Sequence, residues 1–154
     1  MFGEFMVAHL IGKARGNEER FRFTEKVVTR MGFICFCPLI FNLDEYYSYP
    51  NNGRILDDMC GAKLEVADFC VLVTPDHVGE STTMRILQSI DMGKPVFELK
   101  DGKLVPYSYV DNDQYHRVMK YMEAANNVWT GIGGEAWKNG NIRSLLPRPI
   151  CTSE

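Results

Sequence analysis

Asp68-Phe69-Cys70-Val71-Leu72-Val73-Thr74-Pro75 decides the fold. An apolar run with no polar alternation, bounded by an aspartate and a proline, is the pattern of a central parallel strand buried on both faces. Working outward, Ser81 to Met92 reads as a helix closed by Gly93, and Pro95-Val-Phe-Glu-Leu99 as the next strand. On the other side, a helix from about Ile55 to Val66 places Leu56, Met59, Lys63 and Val66 at helical intervals. Phe33-Ile-Cys-Phe-Cys37 is a strand stopped by Pro38. Before it, a helix from the N-cap candidate Asn17 to Met31 carries Glu18 and Glu19 in its first turn and ends at Gly32. Phe21, Val27, Val28 and Met31 form its inward stripe. Phe5 to Ile11 is a first buried strand, stopped by the loop Gly12-Lys-Ala-Arg-Gly16. A last helix from about Asn112 to Ala125 carries Tyr115, Val118, Met119 and Met122.

Strands and helices in strict alternation predict a Rossmann-like, doubly wound α/β domain of three layers with a parallel sheet. The domain spans residues 1–125. Residues 126–154, with Gly131, Gly133, Gly134, Gly140, Pro147, Pro149, Trp129 and Trp137, read as a C-terminal extension. Two tryptophans favour its packing on the domain or on a partner subunit.

The bulk properties narrow the function. The chain has 154 residues, 45% hydrophobic and 24% charged, with a formal charge of −3. That is one ordinary globular domain, which buries roughly 70% of its unfolded surface and needs no disulfide or metal to fold. The acidic balance argues against a nucleic-acid polymer or an anionic membrane as partner, while leaving room for a local basic pocket. Cys35, Cys37, Cys60, Cys70 and Cys151 form an odd set without a Cys-x-x-Cys pair, the usage of a reduced compartment. His9, His77 and His116 are scattered, so no metal site is expected, and no cofactor. No apolar stretch reaches about 18 residues and no signal peptide opens the chain, so the expectation is a cytoplasmic protein.

In an open parallel sheet, ligands bind beyond the carboxyl ends of the strands. That edge should gather Gly12 to Gly16, the polar-aromatic loop 41–53 with Tyr46, Tyr47 and Tyr49, and the segment from Asp76 to Thr82. Gly79, Ser81 and Thr82 at a helix start suit an anion through backbone amides and hydroxyls, and serve equally as capping residues. Asp76 and His77 lie on the same strand-end loop, and Lys13 and Arg15 bring charge from the first loop. Asp68, before its strand, reads as structural or as a ligand contact.

Four segments in order carry a resemblance: Leu56-Asp-Asp-Met59, Lys63-Leu-Glu-Val-Ala-Asp68, Val78-Gly-Glu-Ser-Thr82 and Gly93-Lys-Pro-Val96. Together they resemble the nucleoside 2-deoxyribosyltransferase-like family, in particular its small phage and bacterial branch. The resemblance is dense over about 40 residues, looser from Val7 to Pro38, and absent beyond Leu99. It implies a flavodoxin-like sheet, usually in a homo-oligomer, that binds a nucleoside or nucleotide and works at the N-glycosidic bond. A glutamate on the third helix is the family's nucleophile, suited to an oxocarbenium-like transition state.

At the position matching that glutamate this chain has Arg85, which cannot attack a sugar carbon and repels developing positive charge. The family's histidine after Leu-Asp-Asp-Met is replaced by Cys60. Ile86, Leu87 and Ile90 are expected to form the buried face of the helix, with Ser81, Thr82, Arg85 and Ser89 along one flank. Arg85 then either joins Ser81 and Thr82 on a phosphate or turns to solvent or to an acid such as Glu80. The leading expectation is a protein that binds or sequesters a nucleotide or nucleoside phosphate. The rivals are an N-glycoside hydrolase or deoxyribosyltransferase using Glu80 or Asp76, and a non-catalytic interaction protein.

Overall fold

The computed structural model describes residues 5–38, 52–108 and 111–130. The loop tyrosines Tyr46, Tyr47 and Tyr49 and most of the C-terminal extension lie outside the described residues. The elements are β1 (Val7–Ile11), α1 (Glu18–Arg30), β2 (Ile34–Phe36), α2 (Asn52–Val66), β3 (Phe69–Leu72), α3 (Glu80–Asp91), β4 (Val96–Lys100), β5 (Lys103–Ser108) and α4 (Asp113–Thr130).

The five strands form one sheet in the order β2-β1-β3-β4-β5. The pairs β1·β2, β1·β3 and β3·β4 are parallel, and β5 runs antiparallel to β4. The fold is α/β with three layers, flavodoxin-like in strand order, as the alternation predicts. All four residues of β3 are buried, and Val73 and Thr74 stay buried as the strand ends. One core lies on the α1/α4 face and gathers Leu10, Phe21, Val28, Phe33, Phe69, Val71, Phe97, Val118 and Tyr121. Its aromatic rings meet edge to face, Phe33 with Phe69 at 4.8 Å and Phe69 with Phe97 at 5.6 Å. The other lies on the α2/α3 face and gathers Ile11, Leu64, Cys70, Leu72, Ile86 and Val96.

Several expectations need correction. β5 was not foreseen: Asp101 (φ 51°) and Gly102 (φ 74°) both have positive φ, the geometry of a tight hairpin turn, and send the chain back along β4. Pro106 is tolerated there because β5 is an edge strand. The α3 face is set by Thr82, Arg85, Ile86 and Ser89, spaced i, i+3, i+4 and i+7, so Leu87 lies about 100° round the helix and is exposed. In α1 the buried residues are Phe21, Thr24 and Val28. The helix α2 starts at Asn52 and packs on the sheet through Leu64, leaving Met59 and Val66 exposed. The helix α4 continues past Ala125 to Thr130, and Asn112 caps it by accepting the Tyr115 N–H at 2.8 Å.

The amino ends of the strands are locked by polar side chains. Buried Asp68 accepts the Val7 N–H at 2.7 Å. Lys94 donates to the carbonyls of Leu64 and Glu65, both at 2.6 Å, and so satisfies the last turn of α2. Ser89 donates to the Lys94 carbonyl at 2.9 Å, and Asn112 to that of Gly93 at 2.8 Å. At this edge Ala67-Asp68 and Gly93-Lys94 hold the fold together.

Candidate functional site

After β1 the chain crosses to β2, and after β3 it crosses the other way to β4. The carboxyl ends of β1 and β3 therefore diverge, and a crevice opens between them. It holds a cavity of about 390 Å³, within the ~300–1,000 Å³ range of small-molecule sites. From β1 and the loop after it come His9, Gly12, Lys13 and Arg15; from α2, Asp57, Met59, Cys60 and Lys63; from the loop after β3 and the first turns of α3, His77, Gly79, Glu80, Ser81, Thr82 and Arg85.

Gly12 lets the first loop approach the loop after β3. Its φ is +140°, and a Cβ there would meet Thr74 Oγ1 at 2.7 Å. The same Thr74 hydroxyl accepts the Lys13 N–H at 3.0 Å and donates to the His77 carbonyl at 3.2 Å. One buried threonine thus ties the two loops that wall the cavity.

Arg85 is 8% exposed, so it does not turn to solvent; it pairs with an acid, as one of the two expectations had it, but the acid is Asp57 and not Glu80. Its Nη1 donates to Gln88 Oε1 at 2.8 Å, and its Nη2 to the Asp57 carbonyl at 3.1 Å and to Asp57 Oδ1 at 3.4 Å. Ser81 Oγ donates to the same Asp57 Oδ1 at 3.0 Å. The Asp57 carboxylate, from the Leu-Asp-Asp-Met segment, therefore bridges the hydroxyl and the guanidinium that the sequence suggested for a phosphate. Mid-helix Gly61 faces this guanidinium, since a Cβ there would stand 3.4 Å from Nη1.

Asp76 is not brought to the cavity lining. Arg20 holds it in a two-pronged pair, at 2.7 and 3.1 Å, and also donates to the Val73 carbonyl at 3.0 Å. The hydrogen bonds from Arg20 hold the Asp76 carboxyl below its ordinary range, so it is ionised and occupied at neutral pH. Asp68 lies at the opposite edge of the sheet. Of the two carboxylates considered for catalysis, Glu80 lines the cavity.

Sequence reasoning did not single out His9, Lys63 or Cys60 as cavity residues. His9 is buried on β1 with Nδ1 3.3 Å from the Phe36 carbonyl, and burial lowers its pKa to about 4. Lys63 donates to the Cys37 carbonyl at 2.6 Å. Burial raises the Cys60 thiol above its ordinary range, which keeps it protonated and unreactive at neutral pH. The signal for Asp57 and Cys60 was their place in the Leu-Asp-Asp-Met-Cys segment; for His9 it was a polar residue inside an apolar strand. Among the described residues no group of three or more His, Cys, Asp or Glu is arranged to hold a metal ion, and no helix is long and apolar enough to cross a membrane. Compared with protein-family models, curated proteins and solved structures, the chain gives no match.

Proposed function

We propose that this chain binds a phosphorylated nucleoside in the crevice between β1 and β3, on a deoxyribosyltransferase-like scaffold whose nucleophile position is taken by Arg85. The observation that carries the reading is a local reversal of charge. The chain has a formal charge of −3, yet among the described residues its cavity is lined by Lys13, Arg15, Lys63 and Arg85 against Asp57 and Glu80, an excess of two positive charges. The amino end of α3 opens on the same cavity and adds its dipole to the attraction for an anion. An incoming phosphate competes with the Asp57 carboxylate for Ser81 and Arg85, or bridges to Lys13 and Arg15 beside it. The ordered motifs quoted above support a nucleoside as the rest of the ligand and a homo-oligomer as its setting, and the unpaired cysteines support a cytoplasmic one.

A second reading, an N-glycoside hydrolase or transferase, draws support from Glu80 at the cavity wall. With Asp76 held by Arg20, Glu80 is the one of the two candidate carboxylates placed to attack or to transfer a proton. One experiment separates the two. The protein is incubated with nucleosides and their 5′-phosphates while melting temperature and free base are followed. The binder reading expects a phosphate-dependent rise in melting temperature, about 2.7 kcal/mol of added stability at a hundred times Kd, with no base released. Released base supports the enzyme, and no response to any compound favours an interaction protein.

A further inference from the structure

We propose that His9 Nε2 is a hydrogen-bond acceptor at the cavity floor for a neutral donor on the ligand, a sugar hydroxyl or a base N–H, so that the site takes more than a bare anion. This rests on the cavity being the ligand site, and it deepens that reading by naming a second recognition element.

His9 is 1% exposed and lines the cavity. Its register partner across the β1·β2 pair is Phe36, whose carbonyl lies 3.3 Å from Nδ1. A carbonyl only accepts, so Nδ1 carries the proton and donates to it. In a neutral ring Nε2 is then left with a lone pair and no hydrogen. The ring stays neutral because it is buried and because Lys63 on α2, Arg85 on α3 and Lys94 before β4 all oppose a further positive charge.

Nε2 is buried and has no hydrogen-bond partner among the described residues. Buried acceptors are almost always satisfied, so one left unpartnered by the chain in a cavity-lining residue calls for a donor from outside it, water or a ligand group. The cationic neighbours do not supply the bond: Lys63 donates to Cys37, and Arg85 to Gln88 and Asp57. A phosphoryl oxygen without hydrogen cannot supply it either, because it brings only lone pairs. A hydroxyl or an N–H does, and a compound carrying both an anionic group and such a donor engages the cationic wall and His9 together.

The test is nitrogen NMR of the full chain labelled at histidine, titrated with methyl phosphate, ribose 5-phosphate, a free nucleobase, a nucleoside and its 5′-phosphate. Nδ1 should be the protonated nitrogen in the free protein. The Nε2 resonance should move with ribose 5-phosphate if the donor is a hydroxyl, with the free base if it is an N–H, and with the nucleoside 5′-phosphate in either case. Methyl phosphate should leave it in place. Affinity for the nucleoside 5′-phosphate should fall at least tenfold in a folded His9→Phe variant, with methyl phosphate unaffected. An Nε2 resonance that no donor-bearing compound moves, or a proton on Nε2 in the free protein, overturns the proposal. The anion reading fails separately, if unphosphorylated nucleosides move Nε2 as strongly as their phosphates.

Discussion

The two ends of the sheet use polar residues in opposite ways. At the amino end, Asp68, Ser89, Lys94 and Asn112 each meet backbone partners, and these bonds close helix ends and fix strand order. At the carboxyl end, cationic side chains and a buried imidazole acceptor line a cavity, with one exposed carboxylate, Asp57, bridging Ser81 and Arg85. Motif residues that look equivalent in the sequence thus divide into those that hold the scaffold and those that line the cavity. The end of the sheet at which each residue falls decides which it is.

The largest effect at neutral pH should come from breaking the amino end. Asp68→Ala leaves the buried Val7 N–H without its charged acceptor, and should cost about 2–3 kcal/mol in denaturant unfolding. Ligand affinity of the folded fraction should not change. A comparable loss of affinity would mean the two ends are not independent.

Next comes the pH dependence contributed by His9. Its pKa is about 4 in the folded chain against 6.5 ordinarily, so between those values the unfolded chain binds the extra proton. The His9 contribution to stability is therefore complete above pH 6.5 and is lost as pH falls toward 4, at up to about 1.4 kcal/mol per pH unit. Urea midpoints measured across that window should show the slope, and His9→Phe should flatten it.

A smaller change should follow Asp57→Asn. Asp57 is largely exposed, so stability should move by less than about 1 kcal/mol. Titration with a nucleoside 5′-phosphate should nevertheless show affinity rising severalfold, because a competing carboxylate has gone. Weaker binding would instead make Asp57 a ligand contact. The least effect is expected from Asp76→Asn, which should leave both ligand affinity and base release unaltered, since Arg20 holds that carboxylate outside the cavity lining.

Much of this fold is legible in the sequence. The unbroken apolar run through β3, the glycines after α1 and α3, and the Asn17 and Asn112 boundaries all act within a few residues, and the structure follows them. The β4–β5 hairpin was also written locally, in Asp101-Gly102 between Leu99 and Leu104. The polar, proline-containing edge strand lacks the apolar run that marks the others, and that hid it. The site was only partly legible. Loop residues at the carboxyl edge could be gathered from topology, and Gly12, Lys13, Arg15, His77 and Gly79 to Thr82 do come together. The partners of Arg85 could not be gathered that way. They depend on how α2 rotates against α3, which sets whether Asp57 faces the guanidinium, and on a helix face that buries Arg85 while exposing Leu87. Likewise, an all-buried strand gives no alternation from which to read that His9 faces the cavity.

The central claim is that this basic crevice recognises the phosphate of a nucleotide. Calorimetric titration of the wild type and Arg85→Glu with one nucleoside 5′-phosphate and its unphosphorylated nucleoside tests it most directly. The account predicts tighter binding of the phosphate than of the nucleoside by the wild type, with that advantage lost in Arg85→Glu. Equal affinity of both proteins for the phosphate would contradict it.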